Sequence, residues 1–343
     1  MSRLLDREHR AVLLLVLGFP ALLLSLAAVI TQGPADLTVP EVFEVVGARL
    51  GLGETDLSRI SQGIVWELRL PRALLAAICG AGLAVCGAVL QSLLRNPLAD
   101  PFLLGVSSGA STGAVTVTVL GLGFGAVGLT AGAFVGALLA FGLVMLLAHL
   151  AGGGTSRVIL AGVAGTQLFS SLTSYIVMTS ADAEQTQAVL FWLLGSLSGA
   201  RWTDVAVTAV ICLVALALCL SQAGKLDAFA FGSDAATSLG VDVRVLRTAL
   251  LVITALLTAS LVAAAGAIGF VGLVLPQAVR LLVGPGHRVL LPVTALWAAV
   301  LLVWVDSLAS TLAAPQEVPV GVLTALVGVP VFALILIRKR VNR

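Results

Sequence analysis

Few residues in this sequence could carry out covalent chemistry. The three histidines are far apart in the sequence, and no two have the spacing of metal ligands: His9, His149 and His287. No H-E-x-x-H motif is present, and no histidine falls near a plausible serine or cysteine nucleophile. A phosphate-binding loop is also missing, because the only Gly-Lys pair, Gly224-Lys225, is followed by Leu226. The sequence therefore predicts no catalytic, metal or nucleotide site of its own.

Carboxylates inside the apolar segments are equally scarce. Asp306 and Glu317 are the acidic candidates, and both are predicted near the outer side of a membrane. A proton- or ion-coupled carrier normally places ionisable groups near the membrane midplane. Asp306 is the candidate for such a role here. The alternative is a structural carboxylate that is hydrogen-bonded to a neighbouring helix end.

The composition defines the class of protein. Of the 343 residues, 59% are apolar and 10% are charged, which excludes an ordinary soluble enzyme and a disordered chain. The net charge of +2 does not suggest a nucleic-acid partner. The four cysteines lie in apolar runs and are interpreted as packing residues: Cys79, Cys86, Cys212 and Cys219. The sequence predicts an all-α, polytopic membrane protein in contact with the lipid bilayer.

The long apolar runs predict ten transmembrane helices in a single domain that covers residues 1–343. A spanning helix needs about 20 mostly apolar residues. The longest run is divided by a glycine-rich turn at 121–128, and the short run 185–200 is interpreted as a partial helix at the membrane surface. The predicted spans are 11–31, 72–94, 102–120, 126–149, 157–179, 203–221, 245–267, 270–283, 288–313 and 318–337.

An even number of spans puts both termini on the same side of the membrane. Cytoplasmic termini place fourteen of the nineteen Lys and Arg residues inside, as the positive-inside rule requires. The five that then lie outside are Arg49, Arg59, Arg69, Arg72 and Arg201. The first apolar run has the length of a span and no A-x-A-like cleavage site, so it is interpreted as the first span and not as a signal peptide.

Small residues repeat at four-residue steps in the fourth predicted span. Gly128, Gly132, Gly136 and Ala140 share one helix face. Such a stripe lets two helix backbones approach closely in lipid. It therefore predicts tight helix packing and not a channel.

The predicted cytoplasmic segment 225–247 contains a short amphipathic helix. Ser233 or Asp234 is a candidate N-cap, and Gly240 is well placed to end the helix. Its apolar face is formed by Ala235, Ala236 and Leu239. The segment is either a simple connector or a lever that a cytoplasmic motor grips.

Several motifs resemble those of the FecCD-type permeases, the membrane subunits of binding-protein-dependent ABC importers for ferric siderophores, haem and cobalamin. The similarity covers essentially the whole chain after about residue 60. The segments that carry it are RLPR (69–72), GAVLQSLLRNPLADPFLLGVSSGAS (87–111), FWLLGSLSGARW (191–202), FGSDAATSLGVDV (231–243), GAIGFVGLVLPQAVRLLVG (266–284), HRVLLP (287–292) and EVPVGVLTALVGVPVF (317–332).

The resemblance implies a ten-helix subunit that pairs with a second copy, most simply as a homodimer. It implies two ATP-binding subunits, which would bind ATP and Mg²⁺, and an extracytoplasmic substrate-binding protein. This chain would hold no cofactor. The short helix within 228–240 matches the family's coupling helix, which docks on the ATP-binding subunit. The matching residues are Gly232, Ser233, Asp234, Ala235, Ala236, Leu239 and Gly240.

The resemblance also implies two further sites. Arg69 and Arg72 match outer arginines that receive glutamates of the binding protein, and an exposed cation pair would steer such an acidic partner. The alternative is a pair of interfacial arginines that contact lipid headgroups. The translocation pathway would be lined in part by the fifth span, whose polar residues are Thr166, Gln167, Ser170, Ser171, Thr173 and Ser174. For any one hydroxyl, a hydrogen bond to its own helix is the alternative.

The expected function is the import of an iron chelate, a ferric siderophore or haem, through the plasma or inner membrane. Cobalamin is the alternative cargo, and an ATP-independent secondary transporter that depends on Asp306 is the alternative mechanism. The chain departs from the family pattern at Gln277, Gly286 and Ser310. Ser310 stands where some members have a third docking arginine.

Overall fold

The computed structural model describes residues 2–33, 37–121, 126–180, 182–229, 232–313 and 316–341, and these residues form helices and no strands. A π-helical segment, Ile64–Arg69, joins α3 to α4, and a 3-10 turn, Pro101–Leu104, precedes α5. The α-helices are α1 (Ser2–Thr31), α2 (Val39–Arg49), α3 (Arg59–Gly63), α4 (Leu70–Leu93), α5 (Val106–Val119), α6 (Ala126–Leu150), α7 (Thr155–Ser180), α8 (Ala183–Leu193), α9 (Trp202–Ser221), α10 (Ala223–Phe229), α11 (Ser233–Ser238), α12 (Val243–Ala265), α13 (Val271–Val283), α14 (His287–Thr311) and α15 (Val320–Val341).

Each of the ten predicted spans coincides with one helix of the structure. Within the described residues, seven helical segments are long and apolar enough to cross a membrane. The other three predicted spans coincide with α5, α13 and α15, whose described apolar parts are shorter. The predicted glycine-rich turn between α5 and α6 lies partly outside the described residues, because 122–125 are not among them.

Two short spans are bounded by backbone turns that interrupt the apolar pattern. Gly105, in a left-handed conformation (φ 74°), separates the 3-10 turn from α5. Before α13, Gly266 (φ 68°) and Phe270 (φ 66°) hold an irregular connection. Gly284 (φ 89°) ends α13. These left-handed residues stop regular helix hydrogen bonding, so the helices are shorter than the apolar runs that contain them.

Helix α4 is the central helix of the bundle. Most of its side chains are buried, and it packs against α9, α12, α13 and α14. Close approach depends on small residues: a Cβ built on Gly87 would lie 1.8 Å from the carbonyl oxygen of Gly272 in α13. All four cysteines are buried in the bundle as free thiols, which agrees with their interpretation as packing residues.

The small-residue stripe of α6 packs directly against α5. A Cβ on Gly113 of α5 would lie 2.0 Å from the carbonyl oxygen of Gly132, and one on Gly136 would lie 2.3 Å from the carbonyl oxygen of Gly109. No side chain larger than hydrogen fits at these positions without moving a backbone. The prediction of close helix packing at this stripe is confirmed.

Candidate functional site

A cleft of about 930 Å³ lies where the end of α1, the start of α4 and the end of α14 meet. It contains both arginines that the sequence singled out for docking. Arg69 is the last residue of the π-helical segment, and Arg72 lies in the first turn of α4. Asp306, Ser310 and Glu317 contribute further polar groups to its lining.

The prediction that Arg72 is an exposed cation is wrong, because its side chain is largely buried in an ion pair. Its Nε donates to Asp306 Oδ2 at 2.8 Å and its Nη2 donates to Asp306 Oδ1 at 3.0 Å. Its Nη1 donates to Glu317 Oε1 at 2.8 Å. The Asp306 side chain is 3% exposed and that of Arg72 is 19% exposed. The charge of Arg72 is therefore compensated inside the chain, because α14 brings a buried carboxylate against the start of α4.

Arg69 has a different environment. It is half-buried, and its Nη1 donates to the backbone carbonyl of Ile30 at the end of α1 at 2.9 Å. Gly33, with φ 130°, passes so close that a Cβ on it would lie 2.6 Å from Arg69 Nη2. Arg69 therefore holds the end of α1 through this hydrogen bond, while its guanidinium also lines the cleft.

The pairing of Asp306 also bears on the alternative mechanism. A carboxylate held by two hydrogen bonds from one guanidinium is arranged as a structural ion pair. The interpretation of Asp306 as a structural carboxylate is closer to this geometry, although its partner is a side chain and not a helix end. Ser310 hydrogen-bonds to the carbonyl of Ser307 on its own helix, at 2.9 Å, and lines the same cleft.

The short helix predicted in 228–240 is α11, and its N-terminus differs from the prediction. The N-cap is Gly232, with φ 107°, and it makes no side-chain cap hydrogen bond. Ser233 and Asp234 were the candidate caps, but both lie one position or more inside the helix, and the side chain of Ser233 lies outside the described part. A glycine at this cap supplies a backbone angle that a serine would adopt only with strain.

The C-terminus of α11 agrees with the prediction. Gly240 has φ 79°, its N–H donates to the carbonyl of Thr237, and the N–H of Val241 donates to the carbonyl of Ala236. These are the two bonds of a Schellman motif. Ala236 is fully buried, whereas Leu239 is 70% exposed. The predicted apolar face is therefore divided, with Ala236 facing the bundle and Leu239 facing outward.

A chain of polar side chains connects α10 to the core, and sequence reasoning missed it. Asp227 of α10 accepts a 2.9 Å hydrogen bond from the backbone N–H of His287, and it also contacts Nδ1 of that ring. The other ring nitrogen lies 2.6 Å from Ser92 Oγ in α4. Burial acts to raise the pKa of Asp227, but the hydrogen bonds from His287 outweigh it and hold that pKa below its usual value.

The hydrogen-bonded series of polar side chains continues from Ser92 into α13. Arg280 donates to Ser92 Oγ at 3.2 Å and to Gln91 Oε1 at 2.7 Å, and Gln277 donates to the same oxygen at 2.6 Å. Gln91 in turn donates to the carbonyls of Gly272 and Leu273.

Pro276 explains why an amide is needed at the end of this chain. Proline has no N–H, so the carbonyl of Gly272 has no helical donor, and Gln91 Nε2 supplies one from 3.3 Å. Two of the residues that depart from the family pattern are placed by these contacts. Gln277 belongs to this polar group, and Gly286 is the N-cap of α14, with φ −64°. Three polar side chains in otherwise apolar segments, Gln91, Gln277 and Arg280, were the available sequence signal.

The proposed pathway residues on α7 fall into two groups. Gln167, Ser170, Ser171 and Ser174 are exposed, and Thr166 is half-buried. Thr173 does not belong with them: it is buried against α5, where its hydroxyl lies 2.9 Å from that of Thr112. Ser174 donates to the carbonyl of Ser170 on its own helix, as the alternative interpretation of these hydroxyls expects.

Comparison with known proteins supports the resemblance. The chain matches the FecCD transport family over residues 21–338. It is 44% identical over 281 residues to the cobalamin import system permease protein BtuC of Halobacterium salinarum, covering 82% of this chain and 74% of that protein. It is 40% identical to the hemin transport system permease protein HmuU of Yersinia pestis, covering 81% and 85%.

A solved structure gives the same result for the fold. It is an inward-facing conformation of a transporter assigned to the metal-chelate type of ABC transporters. The TM-score is 0.83 at 31% identity, over 94% of this chain and 98% of that one. The two chains therefore share their helix arrangement along nearly their whole lengths.

Proposed function

Because this chain belongs to the FecCD transport family, whose members are permease subunits of ABC importers, we propose that it carries an iron chelate, a ferric siderophore or haem, into the cytoplasm. It is a multi-pass protein of the cell membrane. The observation that carries the proposal is the family match over residues 21–338 together with a common fold over 94% of the chain.

Cobalamin is the second candidate cargo. A relative with 44% identity is a cobalamin permease, and one with 40% identity is a hemin permease. Both cargoes are bulky metal chelates, and the polar exposed residues of α7 would suit a wetted pathway for either. Cargo identity would be decided largely by the binding protein that delivers it.

The proposed assembly is a homodimer of this chain with two ATP-binding subunits and one extracytoplasmic binding protein. Each copy would form one domain of ten spans with cytoplasmic termini, in which α5, α13 and α15 are the short spans. The exposed apolar side chains of α7 and α15, such as Tyr175 and Leu326, are available to face a second copy or lipid. ATP and Mg²⁺ would be bound by the partner subunits.

The proposed coupling element is α11. Leu239 presents an exposed apolar side chain, while Ala236 anchors the same helix in the bundle. A closing ATP-binding subunit that gripped Leu239 would therefore pull on the membrane helices through Ala236 and the adjoining α10. This would open or close the pathway without any chemistry in the permease itself.

The proposed docking site for the binding protein is the outer cleft. Arg69 would receive an acidic side chain of the binding protein, since its guanidinium lines the cleft. Arg72 would contribute only if an incoming glutamate competed with Glu317, the more exposed of its two partners.

Reconstitution tests the proposal. The permease would be co-expressed with the candidate ATP-binding subunit, placed in liposomes and supplied with binding protein loaded with ferric siderophore, haem or cobalamin. ATP-dependent uptake of one chelate would support an importer and identify its cargo. Uptake by the permease alone, lost on Asp306→Asn, would instead establish the secondary transporter.

A further inference from the structure

A cavity of about 480 Å³ with several charged residues in its lining lies beside the start of α11, where α4 ends and α14 begins. Its lining includes Arg95, Asp227, Arg280 and His287. Resting on the importer function proposed above, we propose that this cavity receives an acidic side chain of the ATP-binding subunit. The permease would then hold its partner by a charged contact as well as by the apolar contact at Leu239.

The charges around the cavity do not balance. Asp227 is occupied by His287. Arg280 bonds to three neutral acceptors: Gln91 Oε1, Ser92 Oγ and the carbonyl of Ala88. Within the described residues, neither Arg280 nor Arg95 has a carboxylate oxygen within 4.0 Å. A partly buried guanidinium with only neutral acceptors favours an incoming anion, because two of its five N–H donors remain for it.

Arg95 has a strained left-handed backbone conformation, and its side chain lines the cavity. Its φ is 47°, at the end of α4, where a glycine or asparagine would be expected. The N–H of Asn96 donates to the carbonyl of Gln91 across it, which fixes that geometry. An L-residue other than glycine or asparagine adopts this region only with backbone strain. A strained, exposed arginine at a cavity mouth is explained if its side chain has a binding role.

The position of the cavity identifies the kind of partner. A Cβ on Gly232, the N-cap of α11, would lie 3.8 Å from Arg95 Nη1, so the cavity adjoins the proposed coupling helix. A lipid phosphate is the competing anion. It is less favoured because, among the lining residues, Leu226 is fully buried and Pro285 is the one apolar side chain left for an acyl chain to contact.

The test compares Arg95→Asn with wild type. Asparagine tolerates the left-handed backbone, so thermal stability should be unchanged or higher. Affinity for the ATP-binding subunit that purifies with the wild-type permease should fall roughly tenfold or more, and the remaining binding should depend less on NaCl. Arg157→Asn is the matched control, because Arg157 is exposed on the same predicted side but lies outside the cavity.

A second variant keeps the result interpretable. Arg280→Gln, which can still donate to Gln91, should weaken the same complex, and Glu→Lys or Asp→Lys changes in the ATP-binding subunit should restore binding to an Arg95→Glu permease. Wild-type affinity and salt dependence in both Arg95→Asn and Arg280→Gln would overturn the proposal. A loss seen only in vesicles with phosphatidylglycerol, and not in phosphatidylcholine, would overturn it in favour of the phosphate of an anionic lipid. A wild-type permease that captures no ATP-binding subunit would instead refute the importer function, and this inference with it.

Discussion

Removing the guanidinium of Arg72 should be the most damaging single change in the outer cleft. Arg72→Met leaves the 3% exposed carboxylate of Asp306 without its two hydrogen bonds. Breaking a buried ion pair from one side costs about 3–5 kcal/mol. Because Arg72 is 19% exposed, water can reach part of the site, and we expect about 3 kcal/mol.

Two comparisons separate the ion pair from other effects. Glu317→Gln should cost about 1 kcal/mol or less, since the Glu317 side chain is 34% exposed. The double variant Arg72→Met with Asp306→Leu should recover most of the loss, because no charge is then left buried and unpaired.

The assay is thermal unfolding in detergent, followed with a thiol-reactive fluorophore. All four cysteines are buried, so labelling reports the opening of the bundle. We expect the order of stability to be wild type, Glu317→Gln, double variant and then Arg72→Met. An Arg72→Met protein as stable as wild type, or a double variant no better than the single one, would refute the assignment of Arg72 as a structural clamp.

Three further measurements address other parts of the molecule. Leu239→Asp should leave the free energy of unfolding within about 0.5 kcal/mol of wild type, because the side chain is 70% exposed. The same variant should abolish capture of the ATP-binding subunit. Normal capture would exclude α11 as the coupling element. Gly136→Ala should destabilise the folded protein by about 1–3 kcal/mol, because the added Cβ would lie 2.3 Å from the carbonyl oxygen of Gly109. Gly142→Ala in the same helix is the control: its Cβ meets nothing within 4 Å, so this variant should be neutral or stabilising. Equal effects of the two substitutions would contradict the packing of α6 against α5. Asp227→Asn should remove the stability that comes from the lowered pKa of Asp227, which is present above the unfolded-state pKa and is lost as the pH falls through the folded-state value. Tryptophan fluorescence should therefore show a wild-type advantage at pH 7 that shrinks below about pH 4, and a pH-independent difference would contradict it.

Local signals were sufficient where the physics is local. Apolar runs predicted the positions of the seven helical segments that are long and apolar enough to cross a membrane, because a spanning segment must satisfy its backbone internally and present apolar side chains to lipid. The stripe of Gly132 and Gly136 predicted a close helix contact because small residues on one helix face let two backbones approach. Gly240 predicted the end of α11, since its positive φ is a property of one residue.

The sequence by itself thus determined the all-helical membrane class, the positions of the helices that coincide with the predicted spans, and the family, because periodicity, length and motif order are written in consecutive residues. Tertiary structure alone decided what each charge contacts. Arg72 and Asp306 are 234 positions apart, and Ser92 and His287 are 195 apart, so no local pattern could pair them. Arg72, predicted to be exposed, forms an internal ion pair, and a series of hydrogen-bonded polar side chains connects α10 to α13. Both arise because the bundle brings distant helix ends together, and buried charges and unpaired carbonyls there require partners.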